Sequence, residues 1–115
     1  MKFFWIAALA AGVALAGVPA RAQQPAPASS PRTAEAYQQF LLAQRLENDD
    51  DADGAIAAYR RAMELDPASA DVPAELASLY MRENRAQDAI ATAESALKIN
   101  ADNAAAHEVL GTIYA

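Results

Sequence analysis

One spacing organises most of this chain: similar residues recur every 34 positions. Apolar and small residues keep this interval at matching positions: Leu42, Leu76 and Leu110; Ala43, Ala77 and Gly111; Ala55 and Ala89; Ile56 and Ile90; Ala62 and Ala96; Tyr80 and Tyr114. A fixed period of this length is typical of folds in which one supersecondary unit stacks on the next copy of itself. The spacing therefore predicts a repeat fold whose units pack mainly on their neighbours.

The residues from Thr33 onward favour helix almost throughout. Ala, Glu, Arg, Leu and Gln dominate, and no run alternates β-branched with polar residues as a half-buried strand would. The pattern predicts five helices, near residues 33–47, 52–65, 70–83, 86–99 and 104–114. Ser30 is suited to cap the first helix with Pro31 at its first position, and Pro67 is expected to stop the second helix.

The repeat resembles the tetratricopeptide repeat (TPR), whose units of 34 residues each contain two antiparallel helices, A and B. The family's helix-A pattern W-x2-L-G-x2-Y stands here as His107-x2-Leu110-Gly111-x2-Tyr114. The repeat positions that carry the resemblance are Leu42, Ala43, Ala55, Tyr59, Ala62, Pro67, Leu76, Ala77, Tyr80, Ala89, Ala96, Leu110, Gly111 and Tyr114. The resemblance implies an all-α solenoid of about two and a half repeats, over residues 36–69, 70–103 and 104–115 within a domain of residues 33–115.

The repeat positions have distinct expected roles in packing. Ala and Gly recur where helices A and B of one unit must approach closely, and the Leu and Tyr positions provide the bulk between them. None of the three units has the Trp of the family pattern. In the third unit His107 occupies that position, and we expect it to pack against helix B of the second unit.

The first 22 residues have the features of a secretory signal peptide. Lys2 gives a positive start, residues 3–18 are uncharged, and Ala20 and Ala22 form a cleavage pattern of small residues. No Cys follows the apolar run, which excludes a lipid-modified N-terminus, and there is no twin-Arg, so the general secretory route is expected, with the bacterial periplasm or cell exterior as the destination. A retained membrane anchor is the alternative. Residues 23–32, rich in Pro, Ala and Ser, are expected to form a linker.

Charge and composition exclude several classes of function. The chain has 9 Lys and Arg against 15 Asp and Glu, and its net charge of −6 disfavours nucleic-acid binding. Cleavage after Ala22 would make the charge more negative, about −8. The absence of Cys excludes thiolate nucleophiles and Cys-ligated metals, and one His is too few for a multi-His site. With no Gly-rich phosphate loop either, we expect neither enzymatic activity nor a cofactor.

The acidic turn of residues 49–54 is the strongest candidate for a metal-binding site. It fits D-x-D-x-D-G, the first half of an EF-hand calcium loop, with Ile56 at the eighth position. Arg60 stands at the twelfth position, where calcium needs a bidentate Glu. The same residues suit capping of the second helix, where negative charge faces the positive end of the helix dipole. We therefore expect capping and no metal site, with weak association of divalent ions left open.

In TPR proteins the helix-A residues line a concave surface that holds a partner segment, and the resemblance implies the same here. Register transfers this surface to Tyr37, Phe40, Leu41, Gln44 and Glu47, to Asp71, Ala74, Glu75, Ser78, Met81 and Arg82, and to Ala105, Glu108, Val109 and Thr112. Some family members hold a C-terminal carboxylate with basic residues at these positions. Here Asp71, Glu75 and Glu108 are acidic and Arg82 is basic, so a neutral, apolar or basic partner is expected. Tyr37, Phe40 and Met81 are the expected apolar anchors.

These features together predict an exported, non-catalytic interaction scaffold with a protein or peptide as its partner. The third unit stops after helix A and leaves Leu110, Ile113 and Tyr114 uncovered. We expect a longer parent array, and the alternatives are a partner on this face or self-association through it. Two further alternatives are an auxiliary repeat segment of a larger secreted enzyme, and a membrane-tethered assembly factor that keeps its N-terminal helix.

Overall fold

The structure, a computed structural model, describes residues 30–115, which form five helices and no strand. The helices are α1 (Pro31–Asn48), α2 (Ala52–Leu65), α3 (Asp71–Arg82), α4 (Ala86–Ile99) and α5 (Ala104–Tyr114). The predicted helix bounds differ from these by no more than two residues. The predicted signal peptide and most of the predicted linker lie outside the described residues. None of the described helices is long and apolar enough to cross a membrane.

Three of the helices begin at a polar side chain that accepts a hydrogen bond from a free backbone N–H of the first turn. The acceptors are Ser30 Oγ for Thr33 N (3.2 Å), Asp51 Oδ1 for Gly54 N (3.0 Å) and Asn103 Oδ1 for Ala106 N (2.9 Å). Such caps supply partners for amides that the helix itself leaves unsatisfied. Helices α3 and α4 begin without a side-chain cap.

The turn between α1 and α2 and the turn between α3 and α4 share one backbone conformation. Asp50 and Asn84, 34 positions apart, both lie in the left-handed region, with φ of 60° and 59°. Asp and Asn tolerate this region better than most residues because their short polar side chains bond locally. The next amide in each turn then donates to a carbonyl five residues earlier, at 2.8 Å in both. The sequence period is therefore a structural period as well.

The core consists of small residues that bring the helices close together and a few large ones between them. Helix α1 pairs with α2, α3 pairs with α4, and α5 packs on both α3 and α4. The alanines at the repeat positions have no exposed surface: Ala43, Ala55, Ala62, Ala77, Ala89 and Ala96. Tyr59, Leu76 and Tyr80 are buried with them and supply the bulk. This is the all-α arrangement of helix pairs that the sequence predicts.

Two repeat positions, Leu42 and Gly111, are less buried than their expected roles require. Leu42 is 41 % exposed, whereas Leu76 in the next unit is 2 % exposed. The reason is that α1 packs mainly on α2, while α3 is flanked by α2, α4 and α5. Leu110 is half-buried and Tyr114 is exposed, as expected where no second helix of the third unit covers them. Gly111 is exposed, and a Cβ atom there would meet nothing within 4 Å. No described helix approaches α5 at Gly111, so the expected close approach is absent there.

The position of His107 also differs from the prediction. Its side chain is exposed and does not pack into the second unit. Its Nε2 atom lies 2.7 Å from the carbonyl oxygen of Ala101, in the turn that precedes α5. Because an imidazole ring can satisfy its polar atoms only at a polar partner, this backbone contact draws it to the turn rather than toward an apolar surface. His107 therefore helps to hold the start of α5.

Candidate binding surface

A cavity of about 220 Å³ lies between α1 and α3, on the surface formed by the first helix of each unit. Its lining residues come from α1, from the α2–α3 connection and from α3: Thr33, Ala36, Tyr37, Phe40, Asp66, Ser69, Asp71 and Val72. Ala36 and Val72 are buried and Phe40 is half-buried, whereas Tyr37 is 62 % exposed. The cavity thus has an apolar interior and an exposed aromatic side chain at its edge.

Phe40 is held in place by its contact with Tyr59, a residue of the core. Its ring lies 5.8 Å from the ring of Tyr59, centroid to centroid, in an edge-to-face arrangement with an interplanar angle of 65°. Aromatic pairs favour this arrangement because the positive edge of one ring faces the negative face of the other. Tyr59 itself is completely buried in α2. One wall of the cavity is therefore fixed before any ligand arrives.

Two carboxylates, Asp66 and Asp71, belong to the cavity lining and make it negative. Asp66 Oδ1 accepts from Ala68 N at 3.3 Å, and Asp71 Oδ1 accepts from Asn103 Nδ2 at 3.2 Å. None of the described residues that line the cavity is a Lys or an Arg. The carboxylates are therefore not neutralised within the lining.

Farther along the same surface, Glu47 joins three helices. Its Oε2 accepts from the Tyr59 hydroxyl of α2 at 3.0 Å, and its Oε1 accepts from Arg82 of α3 at 2.8 Å. The Glu47 side chain is only 16 % exposed, so the ion pair with Arg82 is partly shielded from water. Arg82, the basic residue of the predicted groove, is consequently engaged by an acid of the protein itself.

The surface near Glu47 favours protonated or cationic groups. Burial raises the pKa of the Glu75 carboxyl, and the charges of Glu47 and Asp71 raise it further, against the opposing effect of Arg82. Burial also raises the pKa of the Tyr59 hydroxyl, and its contact with Glu47 adds to that shift. Both shifts report the same condition: negative charge here is poorly solvated and has carboxylates for neighbours.

Ten of the fifteen predicted groove residues show that these positions do not form one continuous site. Tyr37, Phe40 and Asp71 meet at the cavity, and Glu75 and Arg82 lie with Glu47. The other five have separate surroundings. Ser78 donates to the Ala74 carbonyl at 3.2 Å, Met81 packs half-buried against the core, Gln44 is half-buried, and Glu108 and Thr112 are exposed on α5. Met81 is therefore less available as an apolar anchor than Tyr37.

The corresponding place between α3 and α5 is built differently. The register puts Asp71 where Tyr37 stands, Ala74 where Phe40 stands, and Asn103 where Ser69 stands. Helix α3 packs directly on α5, whereas α1 and α3 make no comparable packing contact. The hydrogen bond from Asn103 to Asp71 joins the two elements at this place. The cavity thus depends on side chains that differ between the two places and not on the repeat as such.

The acidic turn of residues 49–54 has the capping role expected of it, through Asp51 at the start of α2. The Gly of its calcium-like pattern, Gly54, has a separate structural reason: a Cβ atom there would collide with the Asp51 carboxylate. Among residues 30–115 the structure places no group of three or more His, Asp or Glu side chains where they could hold a metal ion.

Sequence reasoning missed five of the eight residues that line the cavity: Thr33, Ala36, Asp66, Ser69 and Val72. The family register was applied to one face of each helix A, and Asp66 and Ser69 lie in the connection before α3. A signal was nevertheless present. Large aromatic residues at positions 37 and 40 stand where the next unit has Asp and Ala, which indicates that the two places cannot pack alike.

The helix pairs, their common turn and their alanine-rich contacts define an α-helical solenoid. Residues 41–113 match the family model of the tetratricopeptide repeat, and the chain belongs to this family. Among solved structures the chain is similar to the first TPR of Spaghetti (RPAP3) bound to HSP90 peptide SRMEEVD, with a TM-score of 0.68 and 22 % sequence identity. The match covers 70 % of this chain and 66 % of that one, and it concerns the fold. A comparison with curated proteins gives no match.

Proposed function

We propose that this protein is an exported, non-catalytic interaction scaffold that binds a segment of a partner protein on the surface formed by α1, α3 and α5. The observation that carries the proposal is the cavity of about 220 Å³ between α1 and α3, with its apolar interior and with Tyr37 62 % exposed beside it. Concave apolar sites with a few polar groups are where proteins bind ligands and partner side chains.

A peptide as the bound segment is supported by the similar solved structure, in which a TPR is bound to the HSP90 peptide SRMEEVD. That peptide carries three acidic side chains and one Arg. The surface of this chain is itself acidic at Asp66, Asp71 and Glu75, and its Arg82 is paired with Glu47. Like charges facing each other oppose binding, so the partner of this chain differs in chemistry from that peptide.

A binding role rather than a catalytic one is supported by the use made of two hydroxyls on or beneath the helix-A surface. The hydroxyls of Tyr59 and Ser78 each donate to an acceptor within the fold, Glu47 and the Ala74 carbonyl respectively. The Ser78 hydroxyl donates to a carbonyl and not to a base, and the raised pKa of the Tyr59 hydroxyl keeps it protonated, so neither is activated as a nucleophile. These contacts stabilise the helices.

Export is supported by residues 1–22, with their positive start, apolar run and Ala20-x-Ala22 pattern. Expression of the full chain in a bacterial host, followed by fractionation and mass spectrometry, tests this part. The expected product begins at Gln23 and lies in the periplasmic fraction or the medium. A product that keeps residues 1–22 and stays in the membrane fraction would contradict it and favour the anchored alternative.

The binding role is tested by crosslinking the full chain to its partner in the cells from which the protein derives. Tyr37→Ala removes the exposed ring at the cavity, and we expect it to reduce the recovered partner at least about tenfold, as for an interface hot spot. Leu42→Ala is the matched control, because Leu42 is also exposed on α1 but does not line the cavity. Equal recovery with both variants would contradict binding at this surface.

A further inference from the structure

We infer that the cavity between α1 and α3 receives one bulky aliphatic side chain of the partner, and that Asp66 and Asp71 at its edge bind a Lys or Arg next to that side chain. The inference rests on the proposed function and names the chemistry of the segment. It assigns the cavity a specificity for an apolar residue followed or preceded by a basic one.

The size and lining of the cavity argue for one large apolar side chain. An enclosed apolar cavity of roughly 150 Å³ in a protein holds a molecule the size of benzene, which gives the scale for a site that is open on one side. The cavity here has about 220 Å³, and Ala36, Phe40 and Val72 give it apolar walls. Phe40 is already packed on Tyr59, so the wall does not have to form on binding. A preformed apolar wall favours a side chain that brings apolar surface and little polar surface.

The charge around the cavity argues for a basic neighbour. Asp66 and Asp71 each use Oδ1 in the hydrogen bonds described, and Oδ2 of each carboxylate accepts from none of the described residues. Glu75 lies four residues after Asp71, one turn farther along α3, and extends the negative surface on the same side of the helix. Arg82, the basic residue of the predicted groove, is paired with Glu47 at 2.8 Å and does not line the cavity. A partner with Lys or Arg at this place would make charge-assisted hydrogen bonds.

The second unit shows which residues can replace those at the edge of the cavity. There, Asp71 and Asn103 stand at the positions of Tyr37 and Ser69, and they are hydrogen bonded at 3.2 Å. The double substitution Tyr37→Asp/Ser69→Asn transfers this pair to the first unit. It removes the aromatic side chain at the edge of the cavity. The residues that it introduces already stand at the equivalent backbone positions of the next repeat.

The basic contact has its own variant. Asp66→Asn/Asp71→Asn removes both charges but keeps an oxygen that accepts from Ala68 N and from Asn103 Nδ2, so the fold keeps these hydrogen bonds. Asp102→Asn is the matched control, because Asp102 is exposed in the turn before α5, away from the cavity lining. Circular dichroism melts of all variants establish that they are folded before binding is measured.

The test is selection of random heptapeptides displayed on phage against the full chain, followed by fluorescence anisotropy with the enriched peptides. We expect enrichment of Leu, Ile or Met adjacent to Lys or Arg. For such a peptide, Tyr37→Asp/Ser69→Asn is expected to weaken binding at least about tenfold, and Asp66→Asn/Asp71→Asn about threefold to tenfold, less at high salt. Asp102→Asn is expected to bind like the unaltered chain.

Two results would overturn the inference in distinguishable ways. Enriched peptides that are acidic, or whose binding resists both double substitutions, would overturn the specificity while a peptide-binding function remains. If the selection enriches no peptide over a blank surface, both the specificity and the peptide-binding function fail.

Discussion

The first and second units share a turn conformation, but only the contact between α1 and α3 leaves the cavity described above. Their turns have the same left-handed residue, at Asp50 and Asn84, with φ of 60° and 59°. Yet Tyr37 and Ser69 border a cavity between α1 and α3, while Asp71 and Asn103 at the matching positions are hydrogen bonded between α3 and α5. The residues that repeat therefore specify the fold, and the residues that break the repeat specify the surface where it can bind.

The same contrast appears in the core. Leu42 and Leu76 occupy one repeat position, but Leu42 is 41 % exposed and Leu76 2 % exposed. Helix α3 has three neighbouring helices, and α1 packs mainly on α2. A residue type thus has a different energetic weight in each unit, according to the number of helices that surround it.

The largest difference between the units is expected from truncation of these two leucines. Leu76→Ala should lower the free energy of unfolding by about 2–5 kcal/mol, because it removes buried methyl groups and leaves a cavity in the core. Leu42→Ala should lower it by less than about 1 kcal/mol, since much of that side chain already contacts water. Urea unfolding followed by circular dichroism measures both values. Equal losses would show that α1 is packed as tightly as α3.

The next difference concerns the hydrogen-bonded contact between α3 and α5 and the open cavity between α1 and α3. Asn103 caps α5 and also donates to Asp71, so Asn103→Ala should lower the stability by about 1–2 kcal/mol. Ser69→Ala, the matched change in the first unit, should stay within about 0.5 kcal/mol, because the Ser69 hydroxyl makes none of the described hydrogen bonds. Thermal melts of the two variants test this, and a loss of similar size in both would remove the distinction between the two places.

A smaller difference is expected at the starts of α2 and α4. Asp51→Ala removes the cap on Gly54 N and should lower the stability by about 1 kcal/mol, whereas Asp51→Asn keeps the acceptor and should lose a few tenths. At the matching position Arg85 has no capping bond and instead contacts Asp88 at 2.8 Å and lies over the Tyr80 ring. Arg85→Ala should therefore lose about 0.5 kcal/mol or less. Denaturation of the three variants at low salt compares them.

The smallest effect depends on pH. Glu75 has no carboxyl counterpart in the other units, where Leu41 and Val109 stand. Burial raises its pKa, so the folded chain holds this proton more tightly than the unfolded chain does. The charged carboxylate consequently destabilises the fold above its raised pKa, and the effect disappears as the pH falls below the ordinary value. Glu75→Gln should stabilise the protein at pH 7, by less than about 1 kcal/mol, and leave it unchanged near pH 3.5.

Glu108→Gln is the control for this effect, because Glu108 is exposed on α5. It should change the stability little at either pH. If Glu75→Gln destabilises the chain at pH 7, the Glu75 carboxylate contributes a favourable contact that outweighs its burial, and the account of this part of the surface is wrong.

Much of the fold follows from the sequence because its determinants are local and periodic. Alternating stretches of helix formers, the Ser30-Pro31 start and the acidic cap at Asp51 define helix ends without reference to distant residues. Leu42, Gly111 and His107 were assigned by family position, and their actual exposure depends on how many helices surround each of them. That number is a property of the whole assembly of helices, which a repeat pattern does not contain.

The candidate site was predicted in part for the same reason. Tyr37, Phe40 and Asp71 were found by register, since helix A supplies one face at regular spacing. Asp66 and Ser69 were missed because they lie in a connection, where no periodicity relates position to direction. The pairing of Arg82 with Glu47 joins residues 35 positions apart in sequence, and the packing of both α1 and α3 on α2 brings them together.

The central claim is that the first unit offers an open apolar cavity and the second does not. Methyl NMR of the full chain during titration with the dipeptide acetyl-Leu-Lys-amide tests it directly. Ala36 and Val72 line the cavity, and Ala70 and Ala106 are their counterparts 34 residues later. The account predicts that the methyl signals of Ala36 and Val72 shift with peptide concentration while that of Ala106, away from the cavity, does not. Shifts confined to Ala106, or as large there as at Ala36 and Val72, would contradict it.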